Sequence, residues 1–212
     1  MAIKTFGYTA ALPNSSRWGG VPYYANVGHR ATMPEKGKVL SIKLKLARYS
    51  DSDVPIVWGV IWNRSTGAKI VQSTNSQSPN NTYASTADLA TYTFTFPETQ
   101  IEAGTLLWIG YGKVSNQSPR ALYFGKRTSV SGSYIDTNDD SQSSPANTFS
   151  GIDETFSNEA LWVEVTYKTG GQVKVWNGSV QAAKPAKVWN GSAWVEKPVK
   201  TWDGSAWDES NV

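Results

Sequence analysis

Cysteine is absent from the 212 residues. Disulfide staples and thiolate metal sites are therefore excluded, and stability has to come from an apolar core or from association. Histidine occurs once, as His29. One imidazole and no thiol rule out the usual zinc sites and cysteine nucleophiles. A Ser-His-Asp triad would have to use His29, yet no Gly-x-Ser-x-Gly elbow is present. The setting of that residue, Asn26-Val27-Gly28-His29-Arg30, is strand-like and reads as a structural position. Gly112-Lys113-Val114 breaks the phosphate-loop pattern. The reading is of no catalytic residue, no metal, no cofactor and no enzyme.

Charge is also scarce. Asp, Glu, Lys and Arg make up 17% of the chain, below the usual quarter. The net charge of +3 comes from interleaved signs, so no basic stripe for nucleic acid is seen. No segment approaches the roughly 20 apolar residues of a membrane span. The first residues, Met1-Ala2-Ile3-Lys4-Thr5, carry no apolar run of a cleavable signal, and synthesis in the cytoplasm is expected. Asp136, Asn138 and Asp140 imitate the start of a calcium loop. Ser141 and Asn147 stand where that loop needs Gly and Glu, so an EF-hand is rejected and only an irregular site is left open.

What is abundant is β-forming and aromatic. Leu40, Ile42, Leu44 and Leu46 alternate with Ser41, Lys43 and Lys45; Tyr92, Phe94 and Phe96 alternate with threonines. Leu161, Val163, Val165 and Tyr167 share one face, and Trp162, Glu164 and Thr166 the other. This period of two marks half-buried strands. Val54 to Trp62 and Leu106 to Tyr111 are apolar on both faces and predict central strands. Asn63-Arg64-Ser65-Thr66-Gly67 predicts a hairpin turn. Ser73 to Thr86 and Ile135 to Ser150 are polar and read as long loops. No window shows a helical period, so the fold expected is all-β, an antiparallel sandwich over residues 1–168.

A glycine linker at 169–172 leads to a segment, 173–212, that repeats. Trp176, Trp189 and Trp202 recur every 13 residues, each followed by Asn-Gly-Ser or Asp-Gly-Ser, and Lys184-Pro185 and Lys197-Pro198 close the first two units. Asn-Gly and Asp-Gly favour two-residue type I′ turns, so each unit is expected to be a small hairpin. With Asn190-Gly191 as that turn, Trp189 would face Ser192 and Lys187 would face Trp194. The third unit repeats the arrangement with Trp202 and Trp207, whereas Gln181 replaces the second tryptophan of the first. Such hairpins cannot bury their own indoles. Trp176, Trp189, Trp194, Trp202 and Trp207 are therefore the expected assembly interface of a homo-oligomer, with a trimer favoured. Trp18, Tyr23, Tyr24, Tyr123 and Trp162 are the candidate ligand-binding aromatics, because exposed rings stack on sugars and anchor interfaces alike.

The stretches Lys174 to Ser179, Lys187 to Trp194 and Lys200 to Trp207 resemble the Trp-Asn/Asp-Gly-Ser-x-Trp repeats near the C-termini of minor tail proteins of phages that infect actinobacteria. Ser41-Ile42-Lys43-Leu44, Trp58 to Trp62 and Ala103 to Gly110 are similar in pattern to the jelly-roll, carbohydrate-binding-like sandwiches fused to such repeats. The resemblance implies a virion tail location, assembly with other virion proteins, and attachment to host surface polysaccharide. The rival expectations are a capsid decoration or head-fibre protein, a carbohydrate-binding module of a secreted bacterial protein and, least favoured, a glycan-degrading enzyme.

Overall fold

Alternation of apolar and polar residues becomes two facing antiparallel sheets in the computed structural model. It describes residues 2–11, 26–48, 56–84, 86–113, 122–138, 147–149 and 151–169, and, C-terminally, 174–176, 178–179, 181–183, 187–197, 199–202 and 207–210. Strands are numbered in chain order. The first sheet holds β1 (Ala2–Tyr8), β3 (Gly37–Arg48), β6 (Ala90–Ile101) and β13 (Val163–Thr169), with β8 (Leu122–Phe124) paired to the end of β3. The second holds β2 (Asn26–Thr32), β4 (Val57–Asn63), β5 (Lys69–Gln77), β7 (Leu106–Lys113), β10 (Tyr134–Asn138) and β11 (Glu154–Ser157). β9 (Lys126–Thr128) and β12 (Glu159–Leu161) form a separate two-stranded ladder.

Setting aside β8 to β12, the orders are β1-β13-β3-β6 and β2-β7-β4-β5. Counting only these eight strands, that is 1-8-3-6 against 2-7-4-5, the strand order of two Greek keys closed into a jelly roll. Strands β8 to β12 are thus an insertion between the seventh and eighth strands of the roll. Its last strand reaches Thr169, paired with Ala2, one residue further than the sequence boundary.

The core lies between the sheets. Ile42, Leu44, Leu46, Phe94, Phe96, Val163, Val165 and Tyr167 meet Val27, Val57, Ile61, Leu107, Ile109 and Ile135. Burying each such side chain is worth roughly 1.5–3 kcal/mol. The sheets close tightly at Gly59, where an added Cβ would fall 2.6 Å from Cβ of Phe94. A second apolar cluster covers the outer face of the second sheet: Val60, Trp62 and Trp108 beneath Phe149. Phe149 is held there by its amide on the Gly67 carbonyl at 2.8 Å, and its ring meets Trp62 edge-on at 5.0 Å and Trp108 in a stack at 4.5 Å.

Three expectations for the sandwich are corrected. Leu40 is out of phase, because a bulge between Val39 and Ser41 puts Val39 in the core and leaves Leu40 half-buried. Part of the polar stretch expected as a loop is the second half of β5, whose side chains tie this edge to the other sheet: Thr74 Oγ1 donates to the Thr95 carbonyl at 3.2 Å, Asn75 Nδ2 to that of Thr93 at 3.0 Å, and Asn75 Oδ1 accepts from the Thr95 amide at 2.7 Å. The start of the second polar stretch is strand β10, paired on both sides. The turn at Asn63 stands: Gly67 has φ +76° and donates to the Asn63 carbonyl at 2.7 Å.

The C-terminal segment forms three hairpins, β14 (Lys174–Trp176) with β15 (Gln181–Ala183), β16 (Lys187–Trp189) with β17 (Trp194–Glu196), and β18 (Val199–Trp202) with β19 (Trp207–Ser210). Their register differs from the one expected. Trp189 lies opposite Trp194, and Lys187 opposite Glu196; Trp202 lies opposite Trp207 and Trp176 opposite Gln181. The connection is four residues, 190–193, not two. Asn190 Oδ1 accepts from the amides of Ser192 and Ala193, each at 2.9 Å, so the side chain does what a type I′ turn would ask of backbone at positive φ. Only Gly191, at φ +101°, enters the left-handed region in this turn. The Lys184-Pro185 joint lies outside the described residues.

Candidate functional site

The insertion between β7 and β13 carries two of the five candidate aromatics to one surface. Tyr123 sits between buried Leu122 and Phe124, and Trp162 between buried Leu161 and Val163, so both rings face outward. The Trp162 amide donates to the Gly125 carbonyl, and the Gly125 amide to that of Lys45, both at 2.8 Å, which lays these segments beside the end of β3. Lys45 Nζ stands 5.2 Å from the Trp162 ring centre, a cation–π contact worth about 0.5–1 kcal/mol. Tyr123, opposite Ala47, stacks on Tyr83 at 4.3 Å and 21°. Tyr83 is tethered by its amide on the Arg48 carbonyl at 3.0 Å. Tyr83 joins the strip from a distant loop, and nothing in its local sequence signalled it. Trp18, Tyr23 and Tyr24 lie outside the described residues.

On the opposite sheet, the residue read as the start of a calcium loop has another role. Asp136 is fully buried in β10. Arg30 grips its carboxylate with Nε on Oδ2 and with Nη2 on Oδ1 at 2.7 Å; Trp108 Nε1 reaches Oδ2 at 2.6 Å and Thr155 Oγ1 reaches Oδ1 at 2.7 Å. The indole passes over Gly28, the register partner of Asp136, where an added Cβ would fall 2.8 Å from Cβ of Trp108. Burial pushes the Asp136 carboxyl up, but the hydrogen bonds from Arg30, Thr155 and Trp108 and the guanidinium charge together hold it below the usual carboxylate range. With both oxygens committed to these donors, Asp136 is a lock between β2, β7, β10 and β11. Asp140 and Ser141 lie outside the described residues.

The third surface is the hairpin pair. Trp189 is 52% and Trp194 65% exposed, with ring centres 5.9 Å apart at 59°. Val188 and Val195 pair on the other side of the ladder, and Val188 is itself exposed. The side chains of Trp176, Trp202 and Trp207 are outside the described set; their backbone positions repeat the same pairing.

His29 lies on the core side of β2, between Ile135 and Ile109 in register, with Nδ1 bonded to nothing among the described residues. Burial pulls it down to about 4. No group of three His, Asp or Glu side chains placed to hold a metal occurs among the described residues, and no helix is long and apolar enough to cross a membrane.

No protein-family model and no curated protein sequence matches this chain. Function therefore has to be argued from the surfaces themselves.

Proposed function

We propose that this chain is a non-enzymatic structural and adhesive component of a bacteriophage tail. In this reading the hairpins bind neighbouring tail subunits and the inserted strands of the sandwich face host surface polysaccharide. The observation that carries it is the Trp189–Trp194 pair: two large indoles, more than half exposed, opposite one another on a hairpin whose sequence recurs every 13 residues. Exposed apolar groups of this size, repeated on one element, mark an interaction surface. A jelly roll is a rigid base for such appendages, and its β5 edge is tied off by side chains rather than left open to pair. The outward strip of Tyr83, Tyr123 and Trp162 supports the attachment half of the reading, because aromatic faces beside lysine suit saccharide rings.

Gold labelling of intact particles of an actinobacteria-infecting phage, with antibody against this chain, tests the location. Label confined to the tail is expected. Label on the head would favour a capsid decoration role instead, and labelled protein that is only secreted from bacteria, never particle-bound, would sink the proposal.

A further inference from the structure

A second surface on the insertion is lined by polar residues. Where β9 ends and β12 begins, Thr128, Ser129, Ser131, Ser157, Asn158 and Glu159 surround an open depression of about 440 Å³. That volume falls within the range of small-molecule sites, roughly 300–1,000 Å³.

Two residues of this rim are strained. Ser129 and Asn158 have φ of 61° and 58°, and they are the two non-glycine residues at positive φ among those described. Each such conformation costs about 1–3 kcal/mol and persists only where its surroundings impose it. Here the imposing contacts are visible. Thr128 pairs with Glu159, the Val130 amide donates to the Asn158 carbonyl at 2.9 Å, and the Gly132 amide reaches Asn158 Oδ1 at 3.4 Å. Both strained residues thus bring their polar side chains to one concavity.

Charge narrows what could fill it. Glu159 accepts from Lys126, whose side chain is 1% exposed and whose ammonium lies 4.8 Å from the Phe156 ring centre. The carboxylate is thereby neutralised from below and fixed in place. A divalent cation would lose the charge it needs to the Lys126 ammonium, and an anion would find no Lys, Arg or His among the residues that line the depression. Hydroxyls that both donate and accept, one amide and a paired carboxylate match a neutral ligand rich in hydroxyl groups. We infer that this depression is a binding subsite for a neutral polyhydroxylated compound, a sugar residue or an open-chain alditol. It deepens the attachment half of the proposed function by naming the ligand chemistry, but its site, and its test, do not involve the hairpins.

Saturation-transfer NMR on the purified full-length chain tests it, with methyl glycosides of glucose, galactose, mannose, arabinose and N-acetylglucosamine in one arm, sorbitol and glycerol in the second, and methyl phosphate in the third. Transfer in the first arm assigns a glycan, and transfer in the second alone assigns an alditol. Ser129→Gly and Asn158→Gly remove the hydroxyl and the amide while easing the backbone, because glycine adopts positive φ freely. Each is expected to weaken binding at least tenfold with the unfolding temperature unchanged or raised. Ile3→Ser, exposed on the edge strand β1 of the first sheet, is expected to leave it intact. No transfer in either neutral arm, transfer from methyl phosphate alone, or binding unchanged by both glycine substitutions would overturn the inference. None of these results would move the tail location that gold labelling reads.

Discussion

Tryptophan is used in opposite ways by the sandwich and by the hairpins. Trp62 is fully buried and Trp108 nearly so, both beneath Phe149, and the Trp108 N–H is spent on Asp136. Trp189 and Trp194 stand mostly in solvent, each with its partner indole as main company. Sequence context alone does not separate the two: Trp62 precedes Asn63 just as Trp189 precedes Asn190. What separates them is the number of layers. In the sandwich a strand has a second sheet on one face and the 147–149 segment on the other, whereas a two-stranded hairpin has a single layer and leaves both faces open. The same side chain is stabilising core in one place and binding capacity in the other.

That contrast is broken most forcefully at Trp62. Trp62→Ala removes an indole from the Phe149 contact and opens a cavity, so unfolding in urea is expected to show a loss of about 4 kcal/mol. A loss below about 1 kcal/mol would mean that the outer cluster collapses onto the gap and that the sandwich depends on its inner core alone.

Acid sharpens the comparison next, because the sole histidine belongs to the sandwich. Buried His29 titrates near 4 when folded, against 6.5 for an ordinary imidazole. Between those values the unfolded chain holds the proton that the folded chain refuses. The contribution is fully present above pH 6.5 and is lost as the pH falls through 4, to the extent of about 3 kcal/mol. Urea midpoints measured from pH 7 to pH 4 are expected to fall accordingly, and His29→Leu is expected to remove that part of the slope. An unchanged slope in the variant would place the acid sensitivity on carboxylates instead.

How much of this could be read from the chain follows from the range of the interactions. Period-two patterns in Ile42 to Leu46, Tyr92 to Phe96 and Leu161 to Tyr167 gave the right inward faces, since alternation is a property of the strand itself. Leu40 departs from its pattern because a bulge depends on the partner strand. The polar half of β5 and the start of β10 resemble loops in sequence because their partners are remote: Asn75 binds at Thr93 and Thr95, and Asp136 binds Arg30, 106 residues away. The hairpins themselves were legible, but their register was not, since the Asn190 side chain builds a four-residue turn where the Asn-Gly pair alone suggests two. Of the candidate aromatics, Tyr123 and Trp162 meet on one face only through the insertion. Of the strained pair, Ser129 carries no signal, and Asn158, although Asn tolerates positive φ, is not marked out among the chain's many asparagines.

The smallest expected change in stability is the one that bears most on the hairpins. Cross-strand aromatic pairs contribute roughly 0.2–1 kcal/mol, and that contribution belongs to a hairpin that shares no strand pairing with the sandwich. Replacing Trp189 and Trp194 together by alanine is therefore expected to change the sandwich unfolding free energy by less than about 0.5 kcal/mol. Association should respond instead. If other copies or tail subunits cover the indoles, sedimentation of the full chain should show an oligomer that the double variant loses, at the same concentration and with the sandwich intact. A monomeric parent would remove self-association and leave neighbouring tail proteins as the partners. A parent and variant of equal oligomeric size would show that these indoles do not hold the copies together, and the contrast between buried and exposed tryptophan would then lack its functional half.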